Sequence, residues 1–240
     1  MCGSPHSGFG PVVPDIRHRM SAQSPETVPS PLLARAVGTP FRAAAALRHA
    51  KAFHPDGRLL TGSLVVDGPI LGVVRPSAGD VTLRLSQGAG LPGGLPDVLG
   101  IALRVDIGAG RPWDLLLASS TVAATRVPLP VPARTWSETT FSSLTPFEAD
   151  GAWWWIRAQT VVASRTAAVP DPPVRIRLSQ ARGLSPFRSI GEVEATDVAP
   201  VADIDFDPVR NLPADVRMAP AWLARTRRSA YDDSRRGRRG

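Results

Sequence analysis

The single tyrosine of the chain and an arginine four residues before it form a pair that could bind iron. Residues four apart share one face of a helix, so Arg227 is expected beside Tyr231 on a helix late in the sequence. A neighbouring guanidinium stabilises a phenolate and lowers its pKa, which is ordinarily about 10. A phenolate is a hard anionic ligand for ferric iron and serves as the axial ligand in some haem proteins.

A second group of chemically active residues lies much earlier, around His54 in Lys51-Ala52-Phe53-His54-Pro55-Asp56-Gly57. An imidazole titrates near neutral pH and can move a proton in either direction. The same residues also form a good turn, so a purely structural histidine is the alternative. Arg84 and Ser86 follow in a predicted strand, where the alternatives are a surface arginine and a serine that bonds to the backbone.

Composition indicates an ordinary soluble globular protein, since 43% of the residues are hydrophobic and 20% are charged. No apolar run approaches the roughly 18 residues of a membrane-spanning helix. No basic stretch leads into an apolar core at the N-terminus, so no secretory signal is predicted and a cytoplasmic location is expected. The only cysteine, Cys2, has no internal disulfide partner.

The net charge of +7 is concentrated at one end of the sequence. Residues 225–240 hold seven arginines against two aspartates, a side-chain charge of +5, which leaves +2 for the other 224 residues. Because the basic residues do not cover a whole domain, nucleic-acid binding is not favoured. If it occurred through this segment, it would depend steeply on salt.

Short apolar runs between turn residues predict a closed antiparallel β-barrel, mainly β, with a helix near each end. Residues 1–30 are rich in Pro, Ser and Gly and are predicted to form a disordered arm, and residues 31–240 a single barrel domain. The predicted helices cover Phe41–Arg48 and Pro220–Ser229. The predicted strands are Leu59–Val66, Ile70–Val74, Val81–Leu85, Val98–Val105, Trp113–Leu117, Thr121–Val127, Ala152–Ala158, Val174–Leu178 and Ile190–Ala195.

Residues 45–240 resemble the catalase family in several segments that occur in the family's order. His54, Gly57, Gly62 and Leu64 keep the spacing of its distal-histidine segment, and Lys51 occupies a position usually held by arginine. The later segments resemble the family's Arg-Phe-Ser, Asp-Pro-Arg-Gly-Phe-Ala-Val-Lys, Trp-Asp-Leu-Val, Phe-Asp-Pro-x-Asn and Leu-x-x-Arg-x-x-x-Tyr patterns. In this sequence they are Arg84–Ser86, Asp97–Arg104, Trp113–Leu116, Asp205–Pro213 and Leu223–Arg238.

The resemblance implies that the barrel binds haem b (heme) and reduces a peroxide. Tyr231 would then be the iron ligand, with Arg227 holding it anionic, and His54 the distal acid–base group, oriented by Ser86. Lys51, Arg84, Arg236 and Arg238 match family positions in the propionate-binding and terminal segments. The electron donor is not identified by the sequence, and a homodimer is left open.

The sequence also departs from the family. Ser119 stands six residues after Trp113, where catalases have an asparagine that helps to orient peroxide. A serine is shorter and presents no amide donor, so a peroxidase is favoured over an efficient catalase. The alternative is a haem-free barrel that binds an apolar ligand or a protein partner.

Two other kinds of site are not supported by the sequence. Gly88-Ala89-Gly90-Leu91-Pro92-Gly93 fits a dinucleotide-binding pattern, but its prolines are incompatible with the required helix. Some short proteins of this appearance are labelled phosphodiesterases, yet the four histidines lack the clustered spacing of a metal site. The run Trp153–Trp155 should alternate between faces, with Trp153 and Trp155 in the core, or else with Trp154 as an exposed anchor.

Overall fold

The computed structural model describes residues 57–77, 79–88, 90–91, 95–108, 110–121, 129–137, 139–200 and 204–219. Within these ranges the chain forms ten strands and no helix. The strands are β1 (Arg58–Val66), β2 (Gly79–Gln87), β3 (Leu99–Asp106), β4 (Pro112–Ser119), β5 (Thr140–Ser142), β6 (Phe147–Ala149), β7 (Ala152–Val161), β8 (Val174–Arg182), β9 (Arg188–Val198) and β10 (Arg217–Met218).

Eight of the strands close into an antiparallel barrel, as the sequence predicts. They pair in the order β1, β2, β3, β4, β5, β7, β8, β9, and β9 pairs again with β1. Strand β6 pairs with the first part of β7, next to the part that pairs with β5, and β10 extends β6. Closure leaves no free edge in the ring itself.

The barrel interior is filled by side chains from alternate positions of each strand. Strand β2 shows this pattern clearly, because Val81, Leu83 and Leu85 are buried in the main core while Thr82 and Arg84 lie on the outer face. Trp136 stacks on Phe141 with ring centroids 5.5 Å apart inside the same core. As in other small barrels, the inside is therefore a packed core and not a channel.

Most of the predicted strands are confirmed. The runs predicted as Leu59–Val66, Val81–Leu85, Val98–Val105, Trp113–Leu117, Ala152–Ala158, Val174–Leu178 and Ile190–Ala195 correspond to β1, β2, β3, β4, β7, β8 and β9. The predicted strand Ile70–Val74 is wrong. Its two end residues bond to each other across a tight turn, Leu71 has a φ of 56°, and Gln180 accepts a bond from the Leu71 N–H at 2.6 Å.

The tryptophan run alternates in the opposite sense to the prediction. Trp154 lies in the core and its Nε1 donates to the carbonyl of Ala149 at 3.1 Å. Trp153 lies on the outside with 53% of its surface exposed, and Trp155 is buried. The prediction that Trp153 belongs to the core, and the alternative that Trp154 is an exposed anchor, are both wrong.

The predicted N-terminal arm and both predicted helices lie outside the described residues, and so does nearly all of the predicted strand Thr121–Val127. Among the described residues, none belongs to a helix long and apolar enough to cross a membrane.

Candidate functional site

Two of the predicted site residues, Arg84 and Ser86, lie together on the outer face of β2. They alternate with inward-facing Leu83 and Leu85, so both side chains leave the barrel on the same side. Ser86 is 8% exposed, and Arg84 is partly buried. The structure therefore brings a cation and a hydroxyl to one outer surface.

The guanidinium of Arg84 lies directly against the backbone of Gly57. A Cβ atom added at Gly57 would be 2.7 Å from Arg84 Nε and 2.8 Å from Nη2, so only glycine leaves room for this contact. His54 lies outside the described residues but precedes Gly57 by three positions.

Small side chains surround Arg84 and Ser86 on the outer surface of the barrel. Strand register places Gly100 and Ala118 in line with Ser86, and Ala102 in line with Arg84. A second hydrophobic cluster on this outer face is formed by Leu59, Ala199 and Phe206, with Ala102, Leu116 and Ile204 packed against it. The surface is apolar, and Ser86 and Ala118 on it are each 8% exposed.

Ser119 is not part of this surface. It lies six positions after the inward-facing Trp113 on β4, so it faces the same side of the strand, and it is completely buried. Its Oγ accepts a bond from the Leu99 N–H at 3.0 Å and donates to the carbonyl of Val131 at 2.6 Å. The hydroxyl therefore joins β3 and β4 to the segment around Val131 on the inner side of the barrel.

A buried carboxylate next to this surface was not predicted from the sequence. Asp114 on β4 lies directly opposite Arg104 on β3, and its side chain is fully buried. Arg104 donates to it through Nε at 2.7 Å and through Nη2 at 2.6 Å. The N–H of Asp207 and the Nδ2 of Asn211 donate to the same Oδ2 at 2.7 and 2.8 Å.

This network, named here the Asp114 network, joins three of the segments that carry the catalase resemblance. They are the strand of Arg104, the strand of Asp114 and the segment of Asp207 and Asn211. Its hydrogen bond with Asp114 is the main reason that the pKa of Arg104 is raised above its ordinary value. Arg104 therefore stays charged throughout the working pH range, and its contribution to stability is constant there.

The remaining predicted site residues lie outside the described part of the chain. They are Lys51, His54, Arg227, Tyr231, Arg236 and Arg238. Among the residues that the structure does describe, no group of three or more His, Cys, Asp or Glu side chains could hold a metal ion.

Neither a protein-family model nor a curated protein sequence matches this chain.

Proposed function

We propose that this chain is a haem-binding barrel protein that reduces peroxides, as its resemblance to the catalase family implies. The contact between Arg84 and Gly57 is the observation that supports the proposal most. In this contact Arg84, a cation suited to a haem propionate, lies against Gly57, which belongs to the same sequence motif as His54. Ser86 lies two residues further along on the same face of β2.

The described residues fit one side of such a site. A porphyrin needs a flat apolar surface for its ring and cations for its propionates. Gly100 and Ala118 are small apolar residues in line with Ser86, and Arg84 would provide one of the cations. Lys51, Arg236 and Arg238 would complete the neutralisation of the two carboxylates, which are costly to bury unpaired.

Haem would supply the redox-active iron that peroxide reduction requires, and the proton transfers would fall to the chain. His54 accepts a proton from the bound peroxide and returns it to the departing oxygen. Ser86 orients the imidazole through its hydroxyl. Tyr231 is the anionic iron ligand, and Arg227, four residues before it, keeps the phenolate deprotonated.

The position of Ser119 favours a peroxidase over a catalase. Efficient disproportionation needs a further polar group to hold the peroxide, and the resemblance gives that role to the position of Ser119. Because this hydroxyl is turned into the barrel and bonded to Leu99 and Val131, it does not reach the outer face. His54 and Ser86 would then serve turnover with an external electron donor.

A haem-free, partner-binding barrel is the second candidate. Trp153 and Leu184 are 53% and 82% exposed, and the N–H of Gly183, the residue before Leu184, bonds to the Trp153 carbonyl at 2.7 Å. Exposed tryptophan is a common anchor of protein interfaces. An apolar ligand inside the barrel is not favoured, because the interior is filled by its own side chains.

The first prediction is that the purified protein takes up one haem per chain and shows a high-spin ferric Soret spectrum. Tyr231→Phe should lose the charge-transfer features of tyrosinate ligation and bind haemin more weakly. His54→Ala should keep the haem and lose about 10²–10⁴-fold in peroxide turnover. Haemin titration followed by absorption, then peroxide kinetics, measures all three. If the folded wild type takes up no haemin, the haem proposal is wrong and the partner-binding barrel is the candidate that remains.

A second prediction concerns the contact between Gly57 and Arg84. Gly57→Ala should push the guanidinium aside and weaken haemin binding about tenfold. The free energy of unfolding should fall by no more than about 1 kcal/mol, because Arg84 moves only the end of a flexible side chain. Gly68→Ala is the matched control, since no atom lies within 4 Å of its added Cβ. Equal haemin affinity in both variants would exclude Arg84 from the haem site.

A further inference from the structure

An open cleft of about 720 Å³ lies on the outer face of the barrel. It is at the beginning of β2, whereas Arg84 and Ser86 are nearer the end of that strand. It is lined by residues from β1, β2, β3 and β9 and by the start of β4 at Pro112. The hydroxyls of Thr61, Ser63, Thr82 and Thr196 point to its walls. This cleft has no role in the haem proposal.

The cleft is strongly acidic. Four of its lining residues are carboxylates, and these are Asp80, Asp106, Glu194 and Asp197. Arg104 is the only cation in the lining, and its charge is already balanced by Asp114. Glu194 forms an ion pair with Arg175 at 3.2 Å, and half of the Glu194 side chain is exposed. The cleft therefore keeps an excess of negative charge beside groups that accept hydrogen bonds from a guanidinium.

The chain carries a complementary segment of its own. Residues 225–240 contain seven arginines against two aspartates. Arg227, Arg236 and Arg238 are used by the haem proposal, but four arginines have no role there, namely Arg225, Arg228, Arg235 and Arg239. Arginine pairs with carboxylates through two parallel hydrogen bonds, so these four arginines match the carboxylates of the cleft in chemistry.

The described part of the chain ends beside β6, which contacts the residue that follows the cleft residue Pro112. The Ala219 N–H bonds to the Pro146 carbonyl at 3.0 Å, and Met218 pairs with Phe147. The Phe147 ring packs edge-on against Trp113, with centroids 6.2 Å apart, and Trp113 follows Pro112 of the cleft. Six residues separate Ala219 from Arg225, a reach of about 20 Å when extended.

We propose that residues 225–240 dock into this cleft of the same chain through arginine–carboxylate pairs. Each exposed pair contributes little alone, but tethering converts several weak contacts into an intramolecular association. The association is electrostatic, so salt weakens it. It does not require haem, and it would hold the segment that contains Tyr231 against the outer face of β1 to β4.

Trypsin cleavage of the full-length protein tests this docking, because trypsin must take an arginine out of the cleft to cleave after it. Cleavage within 225–240, followed by mass spectrometry at about 20 mM salt, should be about tenfold faster in the triple variant Asp80→Asn, Asp106→Asn, Asp197→Asn than in wild type. Wild type at about 0.5 M salt should approach the rate of the variant.

The control variant removes the same charge elsewhere, at three exposed aspartates outside the cleft: Asp67→Asn, Asp150→Asn and Asp215→Asn. It should keep the protection of wild type. Equal cleavage rates in the wild type, the cleft variant and high salt would overturn the proposal. Protection that disappears on dilution of the protein would overturn it too, since the cleft would then be filled by a second copy. The salt comparison needs no variant, so it decides the question even if the triple variant folds poorly.

Discussion

Replacement of Asp114 by asparagine is expected to lower the free energy of unfolding by about 3–5 kcal/mol, since it leaves a charged partner without its counter-ion in a buried network. The fully buried carboxylate of Asp114 accepts bonds from Arg104, from the N–H of Asp207 and from Asn211. An asparagine has one acceptor oxygen and presents a donor to Arg104 or to Asn211. Urea unfolding, followed by tryptophan fluorescence, measures the loss.

Asp106→Asn is the control for this prediction. Asp106 lies on the same outer face, two residues after Arg104, but its side chain is exposed and accepts a bond from the Gly108 N–H at 2.8 Å. Its replacement should change stability by less than about 0.5 kcal/mol. A double-mutant cycle with Arg104→Met should give a coupling above about 1 kcal/mol. Equal losses in Asp114→Asn and Asp106→Asn would show that the network carries no special stability.

The Asp114 network matters for function because of the segment that it holds. Asp207 and Asn211 fix residues 204–211 on the outside of the barrel, where Phe206 packs with Leu59 and lies 5.1 Å beneath the guanidinium of Arg104. This segment touches the outer surface beside Arg84 through Ala102, and it touches the acidic cleft through Arg104. If it opens locally, both surfaces change at once, which links the proposed haem site to the proposed docking site.

The sequence was sufficient to predict the barrel and most of its strands. The strands with long apolar alternation were recognised, whereas β5, β6 and β10 were missed. Those three contain only two or three residues each, too few for a periodic pattern to emerge. Ile70–Val74 has the apolar composition of a strand, yet the left-handed Leu71 turns the chain back on itself.

The site was less predictable, because the face on which a side chain lies depends on strand register. Arg84 and Ser86 are two positions apart on β2 and therefore lie on one face of it. The sequence could not show that Ser119 points into the barrel, or that Arg104 and Asp114, ten residues apart, face each other across two strands. The four cleft carboxylates come from β2, β3 and β9, and only the closed barrel brings these strands together.

The other large effect is expected at Gly62, the motif glycine whose spacing from His54 contributes to the catalase resemblance. A Cβ atom here would lie 2.0 Å from the Glu194 carbonyl oxygen and 2.5 Å from Ala195 Cα. Strands β1 and β9 therefore touch backbone to backbone at this point, next to the register shift between Thr61 and Gly62. Backbone cannot move aside as a flexible side chain does, so Gly62→Ala should force the two strands apart.

Because the pairing of β1 with β9 closes the barrel, we expect Gly62→Ala to lose about 3 kcal/mol or more of unfolding free energy. Amide exchange should rise along β1 and β9 before it rises along β3 and β4. Gly68→Ala, just after β1, has no atom within 4 Å of its added Cβ and should retain wild-type stability. Equal stabilities would mean that the strands yield easily at this point. A selective loss would show that Gly62 is required for barrel closure, so this motif position would be explained without any contact to haem.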